Sequence, residues 1–231
     1  MFINNIYNHK ELLFQLTLKL IKSRYKQSVL GISWAIIKPL GMMIVFTVIF
    51  SKFIKIPSDG IPYPIFSYCA LLPWTFFSTS LTAGINSMVQ NTSLIQQIYF
   101  PRIIFPLSAM ISSFVDFAIA SLIFIALLIF YKVQITIYVL LLIPILILQI
   151  MFTIPLCMLG SALNVFYRDI GQGLVFVTQL WMYACPIVYP ISVVPEKHRM
   201  LYALNPMVGI IDSYRKVIIQ GIVPNWDYLL I

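Results

Sequence analysis

From Val133 to Tyr167 the chain runs for 35 residues without a charged side chain. A helix needs only about 20 residues to cross a bilayer's hydrocarbon core. Each charge left in that core costs on the order of 2.5–3.5 kcal/mol even on lenient insertion scales, so the gaps between charges mark the spans. Composition agrees: 61% of the 231 residues are apolar and 10% charged, against roughly 45–50% and about 25% in soluble domains. An ordinary soluble domain is excluded. The length allows about six crossings with short loops and leaves no room for a soluble domain.

The expected architecture is an all-α polytopic membrane protein in a single transmembrane domain, 1–231. Its spans fall at about 33–56, 63–90, 103–131, 134–166 and 170–190. The first requires the Lys38 ammonium to reach back to the interface. The 42 uncharged residues 60–101 are too many for one span, so their polar end, with Asn86, Gln90, Asn91, Gln96 and Gln97, emerges into water. Pro144 and Pro155 should bend the fourth span. Met200 to Ile211 is too short to cross and suggests re-entrant or interfacial helices within 191–225. Trp226 and Tyr228 read as the interfacial aromatics that open a sixth span at 226–231, truncated here.

Of the 15 Lys and Arg residues, Lys10, Lys19, Lys22, Arg24, Lys26 and Lys38 precede or open the first span. This sets the N-terminus in the cytoplasm and makes the net charge of +8 a matter of membrane topology, with no nucleic acid implied. No signal peptide is expected. Alternation along the remaining spans puts Arg102 and Arg168 on the same side and Lys52, Lys55, Lys132, Lys197, Arg199, Arg215 and Lys216 on the other. Those last four then reach headgroups or an anionic polymer. Cys69, Cys157 and Cys185 sit in apolar stretches with no metal-ligand spacing and pack as small apolar residues.

Residues 8–26 predict an interfacial amphipathic helix. Asn8 and Glu11 have capping-box spacing. Glu11, Gln15, Lys19, Lys22 and Lys26 form one polar stripe, opposite Leu12, Leu13, Leu16, Leu20 and Ile21. Such a helix lies in the headgroup plane with its basic stripe toward anionic lipid or a partner.

The chemistry of an enzyme is missing. The stock is 2 His and 7 acids, and His9 and His198 fall on opposite sides of the membrane, so no metal site is expected. No Gly is followed by Lys, which removes the phosphate-cradling GxxxxGK[ST] loop and any cofactor held that way. Energy must come from a gradient or from another polypeptide. Asp116 is the one charge deep in the third span. It is read as hydrogen-bonded to neighbours such as Ser112 or Ser113, or as the carboxylate of a proton-coupled secondary transporter.

Four stretches resemble the transmembrane subunit of ABC-type polysaccharide exporters, which pass O-antigen, capsular or teichoic chains across the plasma membrane. They are Arg24-Tyr25-Lys26-Gln27-Ser28-Val29-Leu30-Gly31 with Ser33-Trp34-Ala35 and Lys38-Pro39-Leu40; Tyr99-Phe100-Pro101-Arg102 with Pro106-Leu107-Ser108-Ala109 and Val115-Asp116-Phe117; Phe166-Tyr167-Arg168-Asp169-Ile170; and Pro186-Ile187-Val188-Tyr189-Pro190 with Val194-Pro195-Glu196 and Leu204-Asn205-Pro206-Met207. They follow the family's order and spacing. The resemblance implies a homodimer of six-span subunits in the bacterial inner membrane, joined to two separate ATPase subunits that carry the ATP and Mg. It also implies that 191–225 forms an outward-side gate.

A permease without its own nucleotide site must feel the ATPase through a rigid element. Residues 91–102 are expected to form it, as the family's coupling helix. Asn91 or Thr92 would cap it, Leu94, Ile95, Ile98, Tyr99 and Phe100 would enter a groove on the ATPase, and Arg102 completes the coupling set. The 34 aromatic residues suit a lipid-linked sugar polymer, whose C–H faces stack on rings. Trp74, Phe77, Trp181, Tyr183 and Tyr189 are the candidates to line its path. The expected function is thus an ATP-driven exporter permease. Its rivals are the proton-coupled transporter using Asp116 and a membrane-embedded glycan-modifying enzyme.

Overall fold

The computed structural model describes residues 9–26, 30–97 and 100–229. Among these, every regular element is helical, as charge-free runs demand, because in hydrocarbon a backbone must satisfy its own N–H and C=O groups. The order is α1 (Lys10–Lys26), α2 (Ser33–Phe46) with a π-helical continuation Thr47–Phe53, α3 (Tyr63–Gln90), α4 (Thr92–Gln97) and α5 (Ile104–Phe130). A 3-10 turn, Ile137–Leu141, leads into α6 (Leu142–Phe166), followed by α7 (Asp169–Tyr183). A second 3-10 turn, Ile191–Val193, precedes α8 (Glu196–Ala203), α9 (Pro206–Arg215) with its π-helical continuation Lys216–Gln220, and α10 (Trp226–Leu229). Asn8, half of the expected capping box, lies outside the described residues.

Ser33–Phe53, Ile104–Phe130 and Ile137–Phe166 are long and apolar enough to cross a membrane. They carry exposed Ile44 and Ile49, Leu122 and Ile129, and Ile143 and Leu159, an apolar surface suited to lipid. Pro144 falls in the first turn of α6, where its missing N–H costs little; Pro155 lies inside the helix. Helix α3 is 28 residues long but more polar, and its hydroxyls bond back to the previous turn, Thr82 to Ser78 O at 2.8 Å and Ser87 to Gly84 O at 2.6 Å. Helix α7 ends at Tyr183, seven residues short of the expected 190. Its 15 residues span about 22 Å, less than the roughly 30 Å of a hydrocarbon core. Pro186 and Pro190 explain the stop, since each lacks an N–H and biases the preceding residue away from the helix.

The chain packs as two units. The first comprises Met1–Trp34, Phe76–Asp116 and Met151–Thr178. Within it α3 meets α6 at Gly160, where a Cβ would stand 2.4 Å from the Ile85 side chain; a small residue is what permits that approach. Asn164 ties the contact, donating to Ile85 O at 3.1 Å and Asn86 Oδ1 at 3.2 Å and accepting from the Gly171 N–H at 2.8 Å. Phe77 stacks on Phe152, centroids 5.6 Å apart.

The second unit comprises Ala35–Thr75, Phe117–Ile150 and Gln179–Ile231. Here the α3 residues Ile65 to Leu72 are buried. Tyr68 donates to Ala120 O at 3.1 Å and stacks on Phe124. Gln149 donates to Pro73 O at 2.7 Å and accepts from the Tyr214 hydroxyl at 3.3 Å. Residues Met207 to Arg215 of α9 are all buried, and Gly209 lies so close to α10 that a Cβ would stand 1.9 Å from Tyr228 O.

Candidate functional site

In the first unit the apolar face of α1 is covered. Leu16 joins Phe100, Ile104 and Phe105 in a buried cluster, with Leu12, Leu13, Leu94 and Ile95 packed against it. The polar stripe, Glu11, Gln15, Lys19, Lys22 and Lys26, stays exposed. The amphipathic face expected to rest on lipid therefore rests in part on the α4–α5 connection. Asn91 and Thr92 stand at the start of α4, where Asn91 O accepts from the Leu94 and Ile95 N–H groups, each at 3.1 Å. Their side chains donate backward, to Ser87 O at 2.8 Å and Val89 O at 2.7 Å, and so satisfy the last carbonyls of α3.

Asp116 has partners that the sequence did not suggest. Its carboxylate accepts from both the Arg24 guanidinium and the Tyr25 hydroxyl. Asp116 lies 12 residues beyond Ile104, about 18 Å along α5, and Arg24 lies 8 beyond Leu16, about 12 Å along α1. Long side chains close the difference, so α1 follows the first half of α5. Burial and donation to Asp116 push the Tyr25 phenol well above its ordinary pKa, which keeps it protonated as a donor. Ser112 and Ser113 play no part: Ser113 bonds Ala109 O at 3.1 Å, and the buried Ser112 hydroxyl has no partner among the described residues.

In the second unit the functional candidate is the turn after α7, where prolines prevent the chain from satisfying itself. Side chains take over almost every carbonyl. Tyr183 O accepts from the Tyr189 hydroxyl at 3.4 Å and Ala184 O from Asn205 Nδ2 at 3.3 Å. Pro186 O, Ile187 O and Tyr189 O all accept from Arg215, and Val188 O accepts from Tyr63 at 2.8 Å. Cys185 O and Pro190 O take the Ile187 and Val193 N–H groups at 2.8 and 3.2 Å. Every carbonyl from 183 to 190 thus has a donor, as buried backbone acceptors require. Asn205 also accepts from the Trp181 indole at 3.0 Å and caps α9 through the Met207 N–H at 3.2 Å. Tyr189 and Tyr202 share a hydrogen bond of 2.8 Å.

The proposed coupling residues separate. Phe100 is buried in its own unit, Leu94 and Ile95 are half-buried against the cluster of Leu16, Phe100, Ile104 and Phe105, and Arg102 is exposed; Ile98 and Tyr99 lie outside the described residues. Of the channel candidates, Trp74 and Phe77 are core residues, Trp181 and Tyr189 are half-buried, and Tyr183 is 54% exposed. Arg215, expected at headgroups or polymer, is 3% exposed. The sequence signal that could have found its role is the pair Pro186 and Pro190, which frees carbonyls that some side chain must satisfy. Among the described residues no three His, Cys, Asp or Glu side chains could hold a metal.

Helices with lipid-ready faces, whose polar side chains turn onto backbone carbonyls, define a polytopic α-helical membrane protein. The chain belongs to the ABC-2 type transporter family, which it matches over residues 11–219. It is 28% identical over 231 residues to the O-antigen export system permease protein RfbA of Myxococcus xanthus, covering 99% of this chain and 88% of that one. Two proteins of the same name from Klebsiella pneumoniae are 32% and 30% identical over 222 residues, covering 96% of this chain and 85% of each.

Proposed function

We infer that this chain is the permease subunit of an ABC exporter that moves a lipid-linked polysaccharide across the bacterial inner membrane. It works as a homodimer with two separate ATPase subunits, N-terminus in the cytoplasm. The observation that carries this reading is the likeness of nearly the whole chain to O-antigen export permeases. The missing phosphate loop supports a subunit with no nucleotide site or catalytic role of its own, and the ATP and Mg then belong to the partner.

The first unit supplies a physical route for the work. Residues 91–102 receive the ATPase, with exposed Arg102 and the accessible parts of Leu94 and Ile95 at the contact. Because Leu94 and Ile95 also pack on the cluster that holds Leu16 of α1, displacement there is passed through the cluster to α1 and, through Arg24 and Tyr25, to Asp116 on α5. An aspartate engaged by a guanidinium and a phenol acts as an anchor in that route, which favours ATP-driven export over the proton-coupled alternative. Trp181, Tyr183 and Tyr189 remain the aromatics that would meet sugar. Polymer transport into proteoliposomes tests the reading: transport that requires both ATP and the ATPase subunit supports it, and transport driven by a proton gradient without that subunit overturns it.

A further inference from the structure

Arg215 is a buried cation with an unusual set of partners. Its Nε donates to Phe66 O at 3.3 Å, its Nη1 to Pro186 O and to Tyr189 O at 3.4 Å, and its Nη2 to Ile187 O at 2.7 Å. The guanidinium carbon stands 3.6 Å from the centroid of the Phe66 ring. Among the described residues it forms no ion pair; Asp212, one turn away, is held by Lys216 at 2.6 Å. Buried charges normally require a counter-ion, and here carbonyl dipoles stand in its place. The fit is to a planar ion. Donors leave the guanidinium in a flat fork toward carbonyls on two segments while its face lies over an aromatic ring, a geometry that an ammonium on a flexible stem cannot reproduce.

We propose that Arg215 is a positioning residue for export. Its guanidinium fixes the 186–189 turn against α3 and α9, and the surrounding carbonyls form a site selective for guanidinium over ammonium or alkali cations. With the Arg215 side chain truncated, the site takes guanidinium from solution. The effect on export rests on the exporter reading above; the selectivity of the site does not.

The test uses the complete permease–ATPase complex carrying Arg215→Ala or Arg215→Lys, in millimolar guanidinium chloride or the same concentration of potassium chloride. Two properties are read, the thermal unfolding temperature and ATP-dependent polymer transport in proteoliposomes. Both variants are expected to lose most transport. Guanidinium should raise the unfolding temperature of the Ala variant along a saturating curve and restore part of its transport, with no such gain for wild type or Arg215→Lys. Wild-type transport by Arg215→Lys, or no saturable difference between Ala and wild type, would overturn the proposal. Should Arg215→Ala fail to assemble, Phe66→Leu removes the stacking face, together with the ring contact to Tyr63, and keeps the Phe66 carbonyl. It is expected to assemble and lose transport several-fold, and unchanged transport would count against the positioning role. If the wild-type complex moves no polymer, the exporter reading fails, while the unfolding curves still decide the selectivity of the site.

Discussion

Replacing Asp116 by Asn separates an anchoring carboxylate from a proton-carrying one. The substitution leaves one oxygen where Arg24 and Tyr25 use two, so Arg24 keeps the oxygen while the Tyr25 hydroxyl turns to accept from the new amide, and it removes the charge that strengthens both bonds. A hydrogen bond to a charged group contributes roughly 1.5–3 kcal/mol and a neutral one about 0.5–1.5, so two bonds bound the loss at about 2–3 kcal/mol. The Arg24 and Asp116 side chains are 34% and 22% exposed, and solvent screening lowers the expected cost to about 1–2 kcal/mol. That is a small part of the roughly 5–15 kcal/mol that holds a domain folded. The complex should therefore assemble, unfold at a modestly lower temperature, and export with unchanged pH dependence. A double-mutant cycle with Arg24→Gln should return a coupling of about 1 kcal/mol. The assays are thermal unfolding of the purified complex and surface polymer in cells carrying the variant. Complete loss of export with normal stability and ATPase binding would refute the anchoring argument, and a coupling of zero would refute the ion pair as its basis.

Leu94→Asp should abolish co-purification of the ATPase and also expose α1 to protease, since Leu94 packs on the α1 cluster; Arg102→Glu, at an exposed position, should weaken co-purification without exposing α1. Normal ATPase recovery with both variants would remove 91–102 as the coupling element. Gly209→Ala forces a methyl against the Tyr228 backbone, which cannot swing aside as a side chain can, and should cost about 1–3 kcal/mol of stability, measured by thermal unfolding. Lys197 is exposed, so Lys197→Cys should react with a membrane-impermeant thiol reagent from outside intact cells, or spheroplasts if an outer membrane intervenes. Labelling only after the cytoplasmic face is opened would reverse the proposed topology.

Much of the fold was legible in charge spacing alone. The Val133–Tyr167 gap appears as Ile137–Phe166, and the interval between Arg102 and Lys132 as Ile104–Phe130. Helix formation in such runs follows from local chemistry, because no other arrangement satisfies the backbone within one segment. The amphipathic pattern of α1 was equally plain, since a period of 3.6 residues belongs to the sequence itself.

What covers each face was not legible, because that depends on residues far apart in the chain. Asp116 found Arg24 and Tyr25 across 92 and 91 positions, while of the serines beside it in sequence Ser113 bonds its own backbone and Ser112 has no partner among the described residues. Arg215 read as a surface cation by charge and position, yet it is buried among carbonyls freed by Pro186 and Pro190. The apolar stripe of α1 announced that it would be buried without saying whether lipid or protein would bury it. Periodicity and charge spacing fix which segments leave water, as local free energies summed along one helix. Partner choice is decided only in the tertiary structure, where each buried donor must meet an acceptor that the rest of the chain has left free.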